Sequence, residues 1–219
     1  MDADGNSLVP GQIIDDEFSG LGITVTTSDP INHPLMIFQT AAPTGGDTDL
    51  GTPNVDFGGP GVGDGGAADM AGRNGLPRGQ ILIVSEDANS GDPNDYDGPS
   101  VIDFVFDPPM PLVTEVHILD IDNPANGGFV TAFDADGFEI QSQPILPLGN
   151  NSFRVVPIGA STSVGWRFPL VPAPGYQGSF SAPSAAPTSR ATSVPSRPPR
   201  SIPFCCCSHR MYRSGYPGE

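Results

Sequence analysis

The sequence predicts an all-β chain: two antiparallel sheets packed face to face, one long Gly-rich loop, and a disordered C-terminal tail. Three observations predict it. Apolar residues recur with a period of two over short runs, and helical periodicity is hard to find. The runs are separated by turn residues, with 28 Gly and 26 Pro in 219 residues. Regularly spaced Val/Ile/Phe clusters set the first three quarters of the chain apart from a disordered polymer, which lacks them.

Taken in order, Gly22-Ile23-Thr24-Val25-Thr26 alternates small or polar with apolar residues and reads as a half-buried strand. A second strand is expected at 35–39. Residues 80–85 hold the continuous apolar run Ile81-Leu82-Ile83-Val84, which predicts a strand buried on both faces. Next, Ile102, Phe104 and Phe106 share one face, while Asp103 and Asp107 sit on the other with Val101 and Val105. Further strands are expected at 113–121, 129–133, 138–143, 152–158 and 163–168. Between two of these, Asp134-Ala135-Asp136-Gly137 reads as a hairpin turn with Gly137 at positive φ. Prolines 108, 109, 111, 144, 147 and 157 are expected at the ends of the runs, where a missing N–H does no harm. The Gly-rich stretch from about 41 to 79 is too long for an ordinary connection. Such loops are functional, ordered by an ion or partner, or disordered.

Composition divides the chain into a module at 1–168 and a tail at 169–219. The net charge is −16, yet Glu219 is the only carboxylate after Glu139. All nine basic residues are arginines, and five of them lie between Arg190 and Arg213. The Pro/Ser/Arg-rich tail has two readings: a flexible segment, or the product of a frameshift or mis-spliced exon. Lysine is absent throughout, as in a GC-rich gene, and shifting the codons of Gly175-Tyr176-Gln177 forward by one base gives an Ala-Ile-Arg-like strand end. Met1 followed by Asp2-Ala3-Asp4-Gly5 reads as a start inside a longer protein, with no secretory signal in the chain as given.

A pI near 4.1 argues against nucleic acid as a partner, because phosphate binding needs clustered Lys or Arg. No apolar run approaches the length of a membrane span. All three cysteines fall at 205–207, so the module has no disulfide framework and its redox compartment stays open.

Carboxylate clustering is the strongest chemical signal. Residues 86–98 pack five acids and two Asn into one loop, and thirteen carboxylates with no Arg or Lys separate Arg78 from Arg154. Two carboxylates about 4 Å apart repel by roughly 1–4 kcal/mol at effective dielectrics of 80 to 20. Holding several in one folded loop calls for water, protons or a cation. Calcium, with six to eight oxygen ligands in flexible geometry, suits such a loop. The candidate ligands are Glu86, Asp87, Asn89, Asp92, Asp95, Asp97, Asp120 and Asp122. The last two alternate in Leu119-Asp120-Ile121-Asp122, so both are expected on one face at a strand end. The spacing departs from the EF-hand pattern: counted from Asp87, Gly91 fills an acidic slot and the distal Glu is missing. A solvated acidic turn is the plain alternative. Asp2-Ala3-Asp4-Gly5-Asn6 and Asp47-Thr48-Asp49 are weaker versions of the same signal, and Asp134/Asp136 reads as a turn.

Catalytic motifs are scarce. His33 and His117 are far apart, neither Gly-x-Ser-x-Gly nor His-Glu-x-x-His occurs, and Gly58-Gly59-Pro60-Gly61-Val62-Gly63 lacks the helix and Lys of a phosphate loop. Cys205-Cys206-Cys207 with His209 has no second ligand pair at zinc spacing. Paired acids leave a glycan-acting hydrolase as a rival reading.

Several segments carry a family resemblance: Ile13-Ile14-Asp15-Asp16-Glu17-Phe18, Asn32-His33-Pro34-Leu35-Met36-Ile37-Phe38, Gly45-Gly46-Asp47-Thr48-Asp49-Leu50-Gly51-Thr52-Pro53-Asn54 and Asp56-Phe57-Gly58-Gly59-Pro60-Gly61. Ile81-Leu82-Ile83-Val84-Ser85-Glu86-Asp87, Leu119-Asp120-Ile121-Asp122 and Leu148-Gly149-Asn150-Asn151-Ser152-Phe153 continue it. From residue 2 to about 165 the chain resembles a module of secreted and surface-anchored bacterial proteins, some of which carry a PEP-CTERM sorting tail. The resemblance implies a β-sandwich similar to carbohydrate-binding and galactose-binding-like jelly rolls. It also implies an extracellular or cell-surface location, and a glycan or matrix protein as partner. As written, the chain is expected to lack the sorting tail and the family's final strand, which puts surface anchoring in question. Its few candidate binding aromatics, Trp166 and Tyr96 foremost, keep a purely structural spacer in play.

Overall fold

The computed structural model describes residues 1–66, 71–110, 113–122, 127–160, 163–169 and 205–206. It is an all-β molecule in which nearly every strand pairing is antiparallel. The strands in chain order are β1 (Ile13–Ile14), β2 (Ile23–Thr27), β3 (Leu35–Gln39), β4 (Gln80–Val84), β5 (Val101–Met110) and β6 (Val113–Leu119). They continue as β7 (Gly128–Phe133), β8 (Glu139–Ile145), β9 (Phe153–Ala160), β10 (Ser163–Pro169) and β11 (Cys205–Cys206). A five-stranded sheet runs β2-β5-β10-β7-β8, and two three-stranded sheets run β1-β3-β4 and β11-β6-β9. Among the described strands, only β11 is parallel to its neighbour, with Cys205 opposite His117 and Cys206 opposite Ile118. The rest of the expected tail, from 170 on, lies outside the described residues.

Period-two patterning decides which side chains meet. Ile23 and Val25 of β2, Ile102, Phe104 and Phe106 of β5, and Val130 and Ala132 of β7 turn to one side. They meet Leu35 and Ile37 of β3, Leu82 and Val84 of β4, Val116 and Ile118 of β6, and Val156 and Ile158 of β9 in a single apolar cluster. All three sheets therefore share one core. Val105, one residue out of phase, is 43% exposed.

The alternate residues of β3 and β4 are buried as well. Met36, Phe38, Ile81 and Ile83 join Leu119, Phe153 and Leu50 in a second cluster. Leu50 belongs to the Gly-rich segment, which is ordered over its described part by 3₁₀ turns at Thr48–Leu50, Val55–Phe57 and Asp64–Gly66. This segment covers the outer side of β3 and β4, which is why the run 81–84 is apolar on both faces. Two of its glycines are steric requirements: a Cβ on Gly51 would stand 2.6 Å from Gly61 Cα, and one on Gly61 would stand 2.2 Å from Gly51 O. The strands of the chain cross there backbone to backbone.

Several expectations need correction. Pro108 and Pro109 lie within β5, Pro144 within β8 and Pro157 within β9, not at run ends. β8 and β9 each end a sheet order, so an absent N–H can face away from the ladder. The β5 prolines fall beyond the last β2 pair, Ile23 with Phe106, beside a register shift against β10. The strand expected at 113–121 stops at Leu119, because Asp120 takes φ 65. Leu119 and Ile121 consequently enter different clusters, and the alternation that was to place Asp120 and Asp122 on one face is broken. The hairpin turn is as expected: Asp134 Oδ1 accepts from the N–H groups of Asp136 (3.0 Å) and Phe138 (2.9 Å), and Gly137 has φ 83.

Truncating Ile83, which is 0% exposed, to Ala is expected to cost about 2–5 kcal/mol in urea unfolding. Val105→Ala, on the exposed side of β5, should stay within about 0.5 kcal/mol of wild type.

Candidate functional site

Three loops bring carboxylates together: 47–49 in the Gly-rich segment, 95–97 beyond β4, and 120–122 beyond β6. Asp47 and Asp49 are each 8% exposed, Asp95 5% and Asp120 1%. Asp122 is half-buried and Asp97 exposed. The Asp95 N–H donates to Asp47 Oδ2 at 3.0 Å.

Burial is the leading cause of the shifts at this site. It pushes Asp47 up to about 6; the hydrogen bonds from Asp95 oppose it, and the charges of Asp49 and Asp97 add to it. Burial also pushes Asp120 well above the usual carboxylate range, with Asp49, Asp95 and Asp122 adding to the effect and the Asn151 N–H opposing it. Six acids from three loops thus form one electrostatic neighbourhood. Each of the charged neighbours named for these two groups is another carboxylate.

A buried amide holds the loops in place. Asn151 has φ 58, its backbone N–H donates to Asp120 Oδ1, and its Nδ2 donates to Asp49 O (2.5 Å) and Gly51 O (2.8 Å). Its Oδ1 accepts from Asn54 Nδ2 (2.7 Å) and Asn74 Nδ2 (3.2 Å). All three Asn side chains are 0% exposed. Asn54 also donates to Gly63 O and accepts from the Asp56 N–H, and Asn74 also donates to Gly51 O.

The eight residues expected as ligands divide into two groups. Asp95, Asp97, Asp120 and Asp122 come together. Glu86, Asp87, Asn89 and Asp92 lie in an exposed loop, where the oxygens of the first three serve the local chain and that of Asp92 reaches the Gly-rich segment. Glu86 accepts from Asn94 Nδ2 (2.7 Å), Asp87 from the Asn89 N–H (2.7 Å), Asn89 from the Gly91 N–H (3.2 Å) and Asp92 from the Gly45 N–H (2.8 Å). Asp2 is likewise a turn cap, accepting from the N–H groups of Asp4 and Asn6. Asp47 and Asp49, weak as a sequence signal, are central. Their only mark was a pair of acids beside a Leu within a Gly-rich run. The Asn54, Asn74 and Asn151 network was not foreseen, since buried Asn carries no periodicity.

Among the described residues, the only three acids whose oxygens all lie within 4.8 Å of one another are Asp15, Asp16 and Glu17, two of them exposed. Part of that set is committed locally, with Glu17 accepting from Gln12 Nε2 and the Asp15 N–H. The buried acids are more widely spread. His117 pairs with Glu115 at 2.8 Å, away from His33. Among the described residues, no helix is long and apolar enough to cross a membrane. No family model, curated protein or solved structure matches the chain.

Two outcomes test this geometry. The folded-state values of Asp47 and Asp120 lie above the ordinary 3.8, so their contribution to stability is full below about pH 4. It is lost as pH rises through about 6, and further as Asp120 ionises. In EDTA, the melting temperature should therefore fall from pH 4.5 to pH 7.5, and Asp47→Asn should flatten that slope. Separately, Asn151→Gly keeps the left-handed backbone but removes the acceptor of one N–H each on Asn54 and Asn74 and the side-chain donor to Asp49 O. It should lower stability by more than about 2 kcal/mol in urea unfolding.

Proposed function

We propose that this chain is a non-catalytic, extracellular β-sandwich module of jelly-roll type, stabilised by Ca²⁺ and serving adhesion or carbohydrate and matrix binding. The observation that carries the reading is the burial of Asp47, Asp49, Asp95 and Asp120 in one neighbourhood with Asp122 and Asp97 beside them. Such a group persists at neutral pH if protons or a cation balance it. A cation coordinated by these acids would make ionisation favourable where burial alone opposes it. The donor set is all oxygen, hard and negatively charged, which fits Ca²⁺ rather than a transition metal. Because no three of these carboxylates lie within 4.8 Å of one another, coordination would draw the 47–49, 95–97 and 120–122 loops closer. The shared core of the three sheets supports the sandwich architecture.

The rival reading, a glycan hydrolase, draws on the raised position of Asp47, since a general acid needs such a shift. Against it stands Asp120, 1% exposed and bonded to the Asn151 N–H, with no access for a substrate.

Thermal melting at pH 7.5 in EDTA and then in excess Ca²⁺ tests the proposal. At about 100 times the dissociation constant, bound Ca²⁺ adds roughly 2.7 kcal/mol, which for a domain of this size raises the melting temperature by about 5–10 °C. Asp120→Asn should melt higher than wild type in EDTA and lose most of the Ca²⁺ response. An unchanged melting temperature for the wild type sinks the calcium reading. Turnover on a polysaccharide panel that Asp120→Asn abolishes would favour the hydrolase.

A further inference from the structure

The cysteines at 205–207 have no second ligand pair at zinc spacing in sequence, and the fold supplies one from elsewhere. β11 is the edge strand of the sheet β11-β6-β9 and runs parallel to β6. Its register sets Cys205 beside His117 and Cys206 beside Ile118. Successive residues of a strand alternate between its two faces. Val116 and Ile118 turn into the shared core, and Ile118 is 1% exposed. Cys206 therefore takes a position on the core face, while Cys205 shares the opposite face with Glu115 and His117.

Glu115 and His117 already stand as a pair. Glu115 Oε1 lies 2.8 Å from His117 Nε2. Two ligands at about 2.0–2.2 Å from one zinc ion are never more than about 4.4 Å apart, so this separation suits a shared ion. The two side chains keep 21% (His117) and 40% (Glu115) of their surface exposed, which leaves the pair open to an ion from solvent. Phe153 meets the imidazole edge-on, with centroids 5.4 Å apart and planes at 83°, and so limits the ring's freedom. Neighbouring strands lie about 4.8 Å apart, which brings residues in register on one face near enough to hold one ion.

The donor types select the ion. Imidazole and thiolate are softer than the oxygen set of the buried acids and favour zinc over calcium. Three protein groups and one water complete four-coordination. We propose that the juxtaposition of Cys205 on β11 with Glu115 and His117 on β6 is a Zn²⁺ site. Binding takes the thiol as thiolate and releases its proton. The ion fastens β11 to β6, so an edge strand of only two residues gains a bond that its backbone pairing alone does not give. The site is separate from the acids proposed to hold Ca²⁺ and does not depend on them.

The test is titration of the full chain, kept reduced, with Co²⁺ as a spectroscopic stand-in for Zn²⁺. The visible bands of four-coordinate Co²⁺ and a near-ultraviolet sulfur-to-cobalt charge-transfer band are expected, both bleached by added Zn²⁺. Cys205→Ser should remove the charge-transfer band, and His117→Gln should weaken Zn²⁺ binding at least about tenfold, the least that losing even an outer partner of a metal ligand costs. Cys206→Ser and Asp120→Asn should leave the spectrum unchanged. Absence of the charge-transfer band in the wild type, its survival in Cys205→Ser, or Zn²⁺ binding unchanged in His117→Gln would overturn the proposal. X-ray absorption at the zinc edge checks the wild type without any variant. Sulfur together with nitrogen or oxygen around the ion supports the site, whereas sulfur alone, or none, overturns it.

Discussion

The buried amide of Asn151 is the constraint on which the arrangement of loops depends. Its side chain and backbone together join the 49–51 carbonyls, the amides of Asn54 and Asn74, and the carboxylate of Asp120. These groups come from four separate stretches of chain. None could be buried without a partner except at about 1–3 kcal/mol each, so the network forms as a whole or is strongly penalised. Its φ of 58 is tolerated by Asn better than by most residues, since the left-handed region disfavours a bulky Cβ. Packing follows from it. With 49–51 anchored, Leu50 can seal the second apolar cluster over β3 and β4.

The same anchoring creates the electrostatic problem. Asn151 ties Asp120 and the backbone of Asp49 to one centre, and Asp95 is bonded to Asp47 from the other side. Burial and mutual repulsion then act in the same direction on Asp47 and Asp120, raising both. Hydrogen bonds from N–H groups oppose this but do not reverse it. Protonation or a cation would relieve this repulsion, whereas the half-buried Asp2 and Asp29 are held below the usual carboxylate range by neighbouring amides.

Strands were legible because each has a period-two signature that burial enforces: the 102/104/106 face and the double-sided 81–84 run are where the alternation placed them. The sheet order was not, since pairing such as β2 with β5 depends on long-range packing that no local pattern encodes. The site was half legible. Acid density drew attention to 86–97 and 120–122, but density cannot distinguish an Asp that caps a turn, such as Asp87, from one that is buried, such as Asp95. Asp47 and Asp49 were masked by a Gly-rich context that reads as loop. What identifies them is the ordering of that loop by Asn54, Asn74 and Asn151, which is a tertiary fact.

The segment 94–98 shows how one short stretch can serve two chemistries. Its backbone is pinned to the end of β4: Tyr96 N–H donates to Val84 O, and the Asn94 carbonyl accepts from the Glu86 N–H and the Ser85 hydroxyl. Extended chain sends successive side chains to opposite sides. Asp95 accordingly acts on Asp47 and Asp120 and Asp97 on Asp47, while Tyr96 stacks on His33. Any force that draws Asp95 and Asp97 inward must move the backbone that carries Tyr96. Gly98, with no room for a Cβ beside the phenol, limits how far the ring can yield. The segment 94–98 therefore carries residues of both the acid cluster and the His33–Tyr96 stack.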